Sequence, residues 1–517
     1  MTPSESLRAI SKVMFVIVIL ATTLLAQGEP AAGPPQVTLL DPVPTLLSGP
    51  MVTTNVNVLA TQGRVVEGAS ADAVTEMVLR IPANSVGEQF SITVINDQGV
   101  QSSSAPEDGA LGPIGSSKFT LSQLTVTAVN TSSGPMTFAI YGVPLDFPRP
   151  EGQDENSTER FISLQVKALD TGLMSSTSGT ILRPPLVLIH GLWGGASSWN
   201  GFTPLITDPR FEILRADYST VIGPQIKKYS PAYPSWAVSS LQQSPASALG
   251  FVYNTPNVYN QITAFISQFK SGTNPESLPV AAVQADIVGH SMGGDMAGAL
   301  PYVPGFYSNN TFALGLVHKV VTIAAPHWGS PLAVHLLDNN NECVRGILAL
   351  SGSPSFASVT LMNGVTTNGA VFDLQGDGFG GSLSPVLKAL GGKLAHPLPT
   401  ALIQGLESQS QLDGLNTSPV ALGIRITCFG DYLANHLTSS GWPKVFNQGS
   451  DSIVPALSEV AGLTNFTLVN GVIHSASAEL LGFGPPAELD AASGLPQTVT
   501  NLLNTNVSNP IFVPFPQ

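Results

Sequence analysis

Gly289-His290-Ser291-Met292-Gly293 sets a serine between two glycines, directly after the apolar run Ala285-Asp286-Ile287-Val288 and before a helix-like stretch over 294–300. In a chain with 50 glycines such a pattern arises by chance, and it is the strand–turn–helix context that gives it chemical meaning. The turn is crowded and strained, which is why glycines flank it. It lifts the Ser291 hydroxyl above the sheet, at a helix N-terminus whose free N–H groups and dipole favour developing negative charge. That is a setting for a nucleophile; the alternative is a tight strand–helix turn with an incidental serine. A nucleophilic serine needs a base. After Ser291 the candidates are His318, His327, His335, His396, His436 and His474.

A second stretch, His190-Gly191-Leu192-Trp193-Gly194-Gly195, closes the continuous apolar run Leu186-Val187-Leu188-Ile189. With these two motifs the sequence resembles the α/β-hydrolase family, and within it the lipases and esterases that carry a His-Gly loop after an early strand. The resemblance implies that the backbone N–H groups of Leu192 and Met292 form an oxyanion hole, where each donor is worth roughly 3–4 kcal/mol of barrier. Trp193 is read either as core or as part of an acyl-pocket wall, and Trp328 is placed with it as a pocket residue. A third stretch, from Thr322-Ile323-Ala324-Ala325-Pro326 through His327-Trp328-Gly329-Ser330-Pro331-Leu332-Ala333, resembles the TPHxGSPLA segment of lipases. The likeness runs over about 182–512, with the motifs in family order. His327 is read as structural, because the family keeps its base much later.

The family order of nucleophile, acid and base locates the rest. Gly449-Ser450-Asp451-Ser452-Ile453-Val454-Pro455 resembles the family's SDGxVP turn, with Ser452 where glycine is usual. His474 is the only histidine beyond Asp451. The resemblance therefore implies a Ser291–His474–Asp451 triad; Asp431, after the strand-like run 424–429, is the competing acid. In such a triad the histidine takes the serine proton while the carboxylate fixes its tautomer. Water would then resolve the acyl-enzyme. No cofactor is needed, and no ligand cluster for a metal stands out.

These residues require a scaffold. Over 35–170 the pattern has period two, as in Phe90, Ile92 and Val94, or Ile162, Leu164 and Val166, which predicts an all-β sandwich-like accessory domain. The Ser/Thr/Gly-rich run 171–180 is read as a linker. From 181 to 512 the expectation is a doubly wound, mostly parallel α/β sheet, with strands at 186–189, 211–216, 280–288, 317–325 and 422–428. Helices are expected at 259–269 and 496–503. Within an insertion at about 333–416, Val386, Leu387 and Leu390 share a helical face, as do Leu402, Ile403 and Leu406. Flanking Gly-rich stretches make this insertion a candidate lid over an acyl chain, against ordinary packing on the sheet.

Composition narrows the function. Of 517 residues 43% are hydrophobic and 10% charged, so the chain can bury a large core; 42 prolines and 50 glycines imply many turns. The formal charge of −14 without a basic run argues against nucleic-acid binding. Arg8 and Lys12 precede an apolar run over 13–26, too short to cross a ~30 Å hydrocarbon core comfortably. Residues 1–28 are thus read as a secretory signal peptide, with an uncleaved anchor as the alternative. Export would permit a Cys343–Cys428 disulfide. The reading that results is a secreted ester hydrolase, a lipase in particular, acting on acyl-ester or lipid substrates and transiently at a lipid interface. Acyl transfer by the same triad, or a non-catalytic surface-binding protein, stay open.

Overall fold

The computed structural model describes residues 33–102, 107–150, 154–192, 194–219, 226–228, 249–338, 357–361, 366–378, 380–389, 402–409, 451, 453–463, 466–472, 474 and 486–514. The sheet that carries the motifs has six parallel strands in the order Ile213–Ala216, Leu186–Ile189, Ala285–His290, Val317–Ile323, Leu402–Gln409 and Phe466–Asn470, with Val513–Pro514 added antiparallel to Leu402–Gln409. Its central strands are apolar on both faces because both faces are covered. Val187, Ile189 and Ile287 pack under the helices Phe251–Lys270 and Met292–Ala299. Leu186, Leu188, Val288 and Val321 pack on the opposite side with Trp199, Phe202 and the helix Leu495–Leu503.

Upstream, two further sheets share one core. Glu76–Pro82 pairs antiparallel with Gly134–Gly142 in the first, and Glu159–Ala168 with Gln89–Ile95 in the second. Leu79, Ile81, Ala139 and Tyr141 of the first meet Phe90, Ile92, Leu164 and Val166 of the second.

Several sequence expectations change. Residues 171–180 are not a linker: after a turn in which Gly172 takes φ 73°, they enter the strand Met174–Leu182, which pairs along its whole length with Glu159–Ala168. Alternating Ser and Thr suit a half-exposed strand, and the same composition reads as a flexible spacer when only composition is counted. The apolar run 280–288 is two strands in two different sheets. Val280–Ala281 extends the upstream sheet beside Gly68–Ser70, and Ala285–His290 lies in the parallel sheet.

The candidate lid is corrected too. Residues 402–409, read as a helix, form a strand inside the parallel sheet. In the short helix Pro385–Ala389, Leu387 is buried in the main core with Leu336 and Val371. Leu387 therefore serves the interior of the fold, and the second stretch is a strand of the sheet rather than a covering helix; Leu390 lies outside the described residues. The expected strand 422–428, Asp431, both cysteines and the segment 1–28 lie outside the described residues. No helix among the described residues is long and apolar enough to cross a membrane.

The upstream sheets are bonded to the parallel-sheet region by polar contacts from which water is excluded. Asp72 accepts from the N–H groups of Val283 and Gln284, at 3.0 and 2.9 Å, as well as from Thr75 of its own turn. Lys319, fully buried on the strand Val317–Ile323, sits 2.7 Å from Asp146 and donates to the carbonyls of Leu503 and Thr505. Beside it, His318 bonds Asp286 and reaches the carbonyl of Leu145.

Candidate active site

The strand Ala285–His290 runs into Ser291, which caps the helix Met292–Ala299 with φ 55° and ψ −133°. A positive φ at a non-glycine residue is strained and holds only where the surroundings enforce it. Here the Ser291 N–H donates to the Ile323 carbonyl at 2.9 Å, and the Ser291 carbonyl accepts from Gly294 at 2.9 Å. The turn is also too tight for side chains. A Cβ on Gly293 would lie 2.2 Å from the Ile189 carbonyl oxygen, and one on Gly191 would lie 2.6 Å from Ser291 Cβ.

His474 Nε2 lies 2.8 Å from Ser291 Oγ, and His474 Nδ1 bonds Asp451 Oδ2. The other carboxylate oxygen of Asp451 accepts from the N–H groups of Ile453 and Val454, at 2.8 and 2.6 Å. The His474 N–H donates to the Asp451 carbonyl at 3.0 Å, so the two loops are tied by backbone as well as side chain. All three residues are buried. Burial opposes charge on His474, but the carboxylates of Asp451 and Glu488 outweigh it and raise the imidazole to about 9. Burial pushes the Asp451 carboxyl upward, opposed by the His474 charge.

Leu192 follows Gly191, the residue whose backbone presses on Ser291. The Gly191 carbonyl is held by the Gly194 N–H at 3.1 Å, Tyr218 Oη at 3.1 Å and the adjoining His190 Nδ1 at 2.9 Å. In a trans peptide this leaves the Leu192 N–H turned away from that cluster. Met292 is the first residue of the helix, whose N–H has no intrahelical acceptor.

His327 bonds away from Ser291: its Nδ1 lies 3.0 Å from Asp295 Oδ1 and its Nε2 3.3 Å from Thr322 Oγ1. It thus pins the helix Met292–Ala299 to the strand Val317–Ile323. Trp328 donates its backbone N–H to Ser458, which in turn donates to the Gly329 carbonyl; its ring lies along Gly380 and Gly462. The loop therefore braces the segment that follows Asp451. Trp193 lies outside the described residues.

Glu488 escaped the sequence reading, as did the part that His290 of the serine motif plays in holding it. Glu488 is fully buried with Oε2 2.9 Å from His290 Nε2 and 3.8 Å from His474 Nδ1. Burial, reinforced by the His474 charge, holds His290 well below the usual histidine range, so it donates as a neutral ring. Nothing in the spacing of Pro485-Pro486-Ala487-Glu488 flags a carboxylate that reaches the site. His290, His474 and Glu488 bring one metal-capable atom each within 4.8 Å of one another. Since His474 Nδ1 and His290 Nε2 already bond carboxylates, the set reads as a hydrogen-bonded network.

No family model matches the sequence. No curated protein matches it either. Among solved structures, the mature form of Bacillus licheniformis lipase BlEst2 aligns with 62% of this chain and 92% of its own, at 17% identity and a TM-score of 0.32. Staphylococcus hyicus lipase aligns with 63% of this chain and 97% of its own, at 11% identity and a TM-score of 0.34. The phospholipase PlaB from Legionella pneumophila aligns with 63% of this chain and 65% of its own, at 10% identity and a TM-score of 0.32.

Proposed function

We propose that this chain is a serine ester hydrolase of the α/β-hydrolase type, acting on carboxylic esters as lipases and carboxylesterases do. The observation that carries the reading is the hydrogen-bonded chain from Ser291 Oγ through His474 to Asp451, with the serine held in a strained turn at a helix N-terminus. Ser291 attacks the ester carbonyl as His474 Nε2 takes its proton, and Asp451 keeps the imidazole in the tautomer that can do so. The N–H groups of Leu192 and Met292 stabilise the tetrahedral oxyanion. His474 then returns the proton to the leaving alcohol, and water, activated by the same base, releases the acid. No cofactor enters this scheme. The segment 1–28 supports export of the enzyme, and the substrate is an acyl ester whose chain length a panel of p-nitrophenyl esters would establish.

Ser291→Ala tests the reading. The hydroxyl does chemistry and little packing, so ester turnover should fall by several orders of magnitude while the melting temperature holds. Retention of more than a few per cent of activity would mean that another residue is the nucleophile.

A further inference from the structure

His474 faces two carboxylates. Its Nδ1 bonds Asp451 and lies 3.8 Å from Glu488 Oε2, and both acids are fully buried. Glu488 is held there by His290, the residue before the nucleophile, whose Nε2 is 2.9 Å away. The rings of His290 and His474 are 4.8 Å apart and tilted by 37°. On the backbone side, the Glu488 carbonyl accepts from Ser493 Oγ at 2.9 Å. Among the described residues, the titratable or charged groups that face His474 are Ser291, Asp451, Glu488 and His290; His190 acts on His290 from farther along the loop.

We propose that Glu488 is a positioning residue of the reaction: a second carboxylate that shares with Asp451 the task of stabilising the His474 imidazolium, with His290 holding it in place. The inference rests on the triad reading above. When His474 takes the Ser291 proton at Nε2, positive charge spreads over the ring. A carboxylate 3.8 Å from Nδ1 in a site closed to water acts on that charge far more strongly than it would in solvent. Asp451 alone directs the Nδ1–H; Glu488 contributes field rather than tautomer. The raised His474 value agrees with that assignment, since Glu488 is among its upward causes. The arrangement also gives His290 a task that a serine-flanking residue otherwise lacks.

Glu488→Gln removes the charge and keeps an acceptor for His290. The acid limb of kcat/KM should move down by about one pH unit while KM changes less than about twofold. Glu488→Asp, which keeps the charge, should return the limb most of the way. A limb that stays in place in a Glu488→Gln enzyme melting at the wild-type temperature would overturn the inference. Glu488→Gln in an Asp451→Asn background probes the same claim. Because Asp451 sets the tautomer, Asp451→Asn alone should lose about 10⁴ in kcat. The second substitution should lower kcat further, and no further loss would contradict the sharing. Labelling by a fluorophosphonate keeps the two claims apart. An enzyme that does not label at Ser291 defeats the triad reading itself, whereas one that labels there with an unmoved limb defeats only the role of Glu488.

Discussion

Ser291 sits in a strained turn against His474, and on the proposed mechanism its reactivity depends on a histidine that is neutral only part of the time. The free base is the form that can accept the serine proton, and the buried carboxylates raise His474 from 6.5 to about 9. A raised value means that the neutral fraction grows only as pH climbs past the ordinary histidine range. The acid limb of kcat/KM should therefore have its midpoint clearly above pH 6.5, with an alkaline optimum. A midpoint at or below 6.5 in a pH–rate profile would show that His474 is not the group whose ionisation governs turnover. At this scale the residues legible in the sequence were those with local signatures: the glycine-flanked serine, the His-Gly pair, and an aspartate beside Val454-Pro455. Glu488 had none, because its contact with His290 spans 198 positions and depends on how a loop returns to the sheet.

At the scale of elements, what was legible was whatever the apolar period alone decides. The helix Phe251–Lys270 shows its buried face through Ile262, Phe265, Ile266 and Phe269, and the final helix Leu495–Leu503 through Val499, Leu502 and Leu503. Periodicity does not say which sheet a strand joins, so 280–288 passed for one strand. Nor does it separate a short apolar strand from a short helix. In 402–409, Leu402, Ile403 and Leu406 fit one side of a helix, yet the backbone lies between two parallel neighbours. The correction has a consequence at Leu387. Buried in the core, Leu387→Ala should cost about 2–5 kcal/mol in denaturant unfolding and leave the ester chain-length profile in place. An unchanged stability together with altered activity on aggregated substrate would restore the lid reading for that helix.

Across the whole molecule, the upstream sheets and the parallel sheet are bound as parts of one structure rather than joined through a spacer. The strand Met174–Leu182 is separated from Leu186–Ile189 by Arg183-Pro184-Pro185 alone, and Val280–Ala281 crosses back into the upstream sheet. The pair Lys319–Asp146 closes this junction at 2.7 Å with both side chains excluded from water. Removing one partner leaves a buried charge uncompensated, so Asp146→Ala should lower unfolding stability by about 3–5 kcal/mol although it touches no reacting group. For the same reason, a chain beginning near residue 181 should fail to yield soluble, active protein. Equal stability of Asp146→Ala and wild type, or a soluble and active truncation, would show that the two parts are separable.

The most direct test of the central claim is covalent. Incubation of the full chain with a fluorophosphonate, followed by peptide mass spectrometry, should find one equivalent of label on Ser291, lost in Ser291→Ala and slowed by several orders of magnitude in His474→Ala. Label on any other residue, or a folded protein that takes up none, would contradict it.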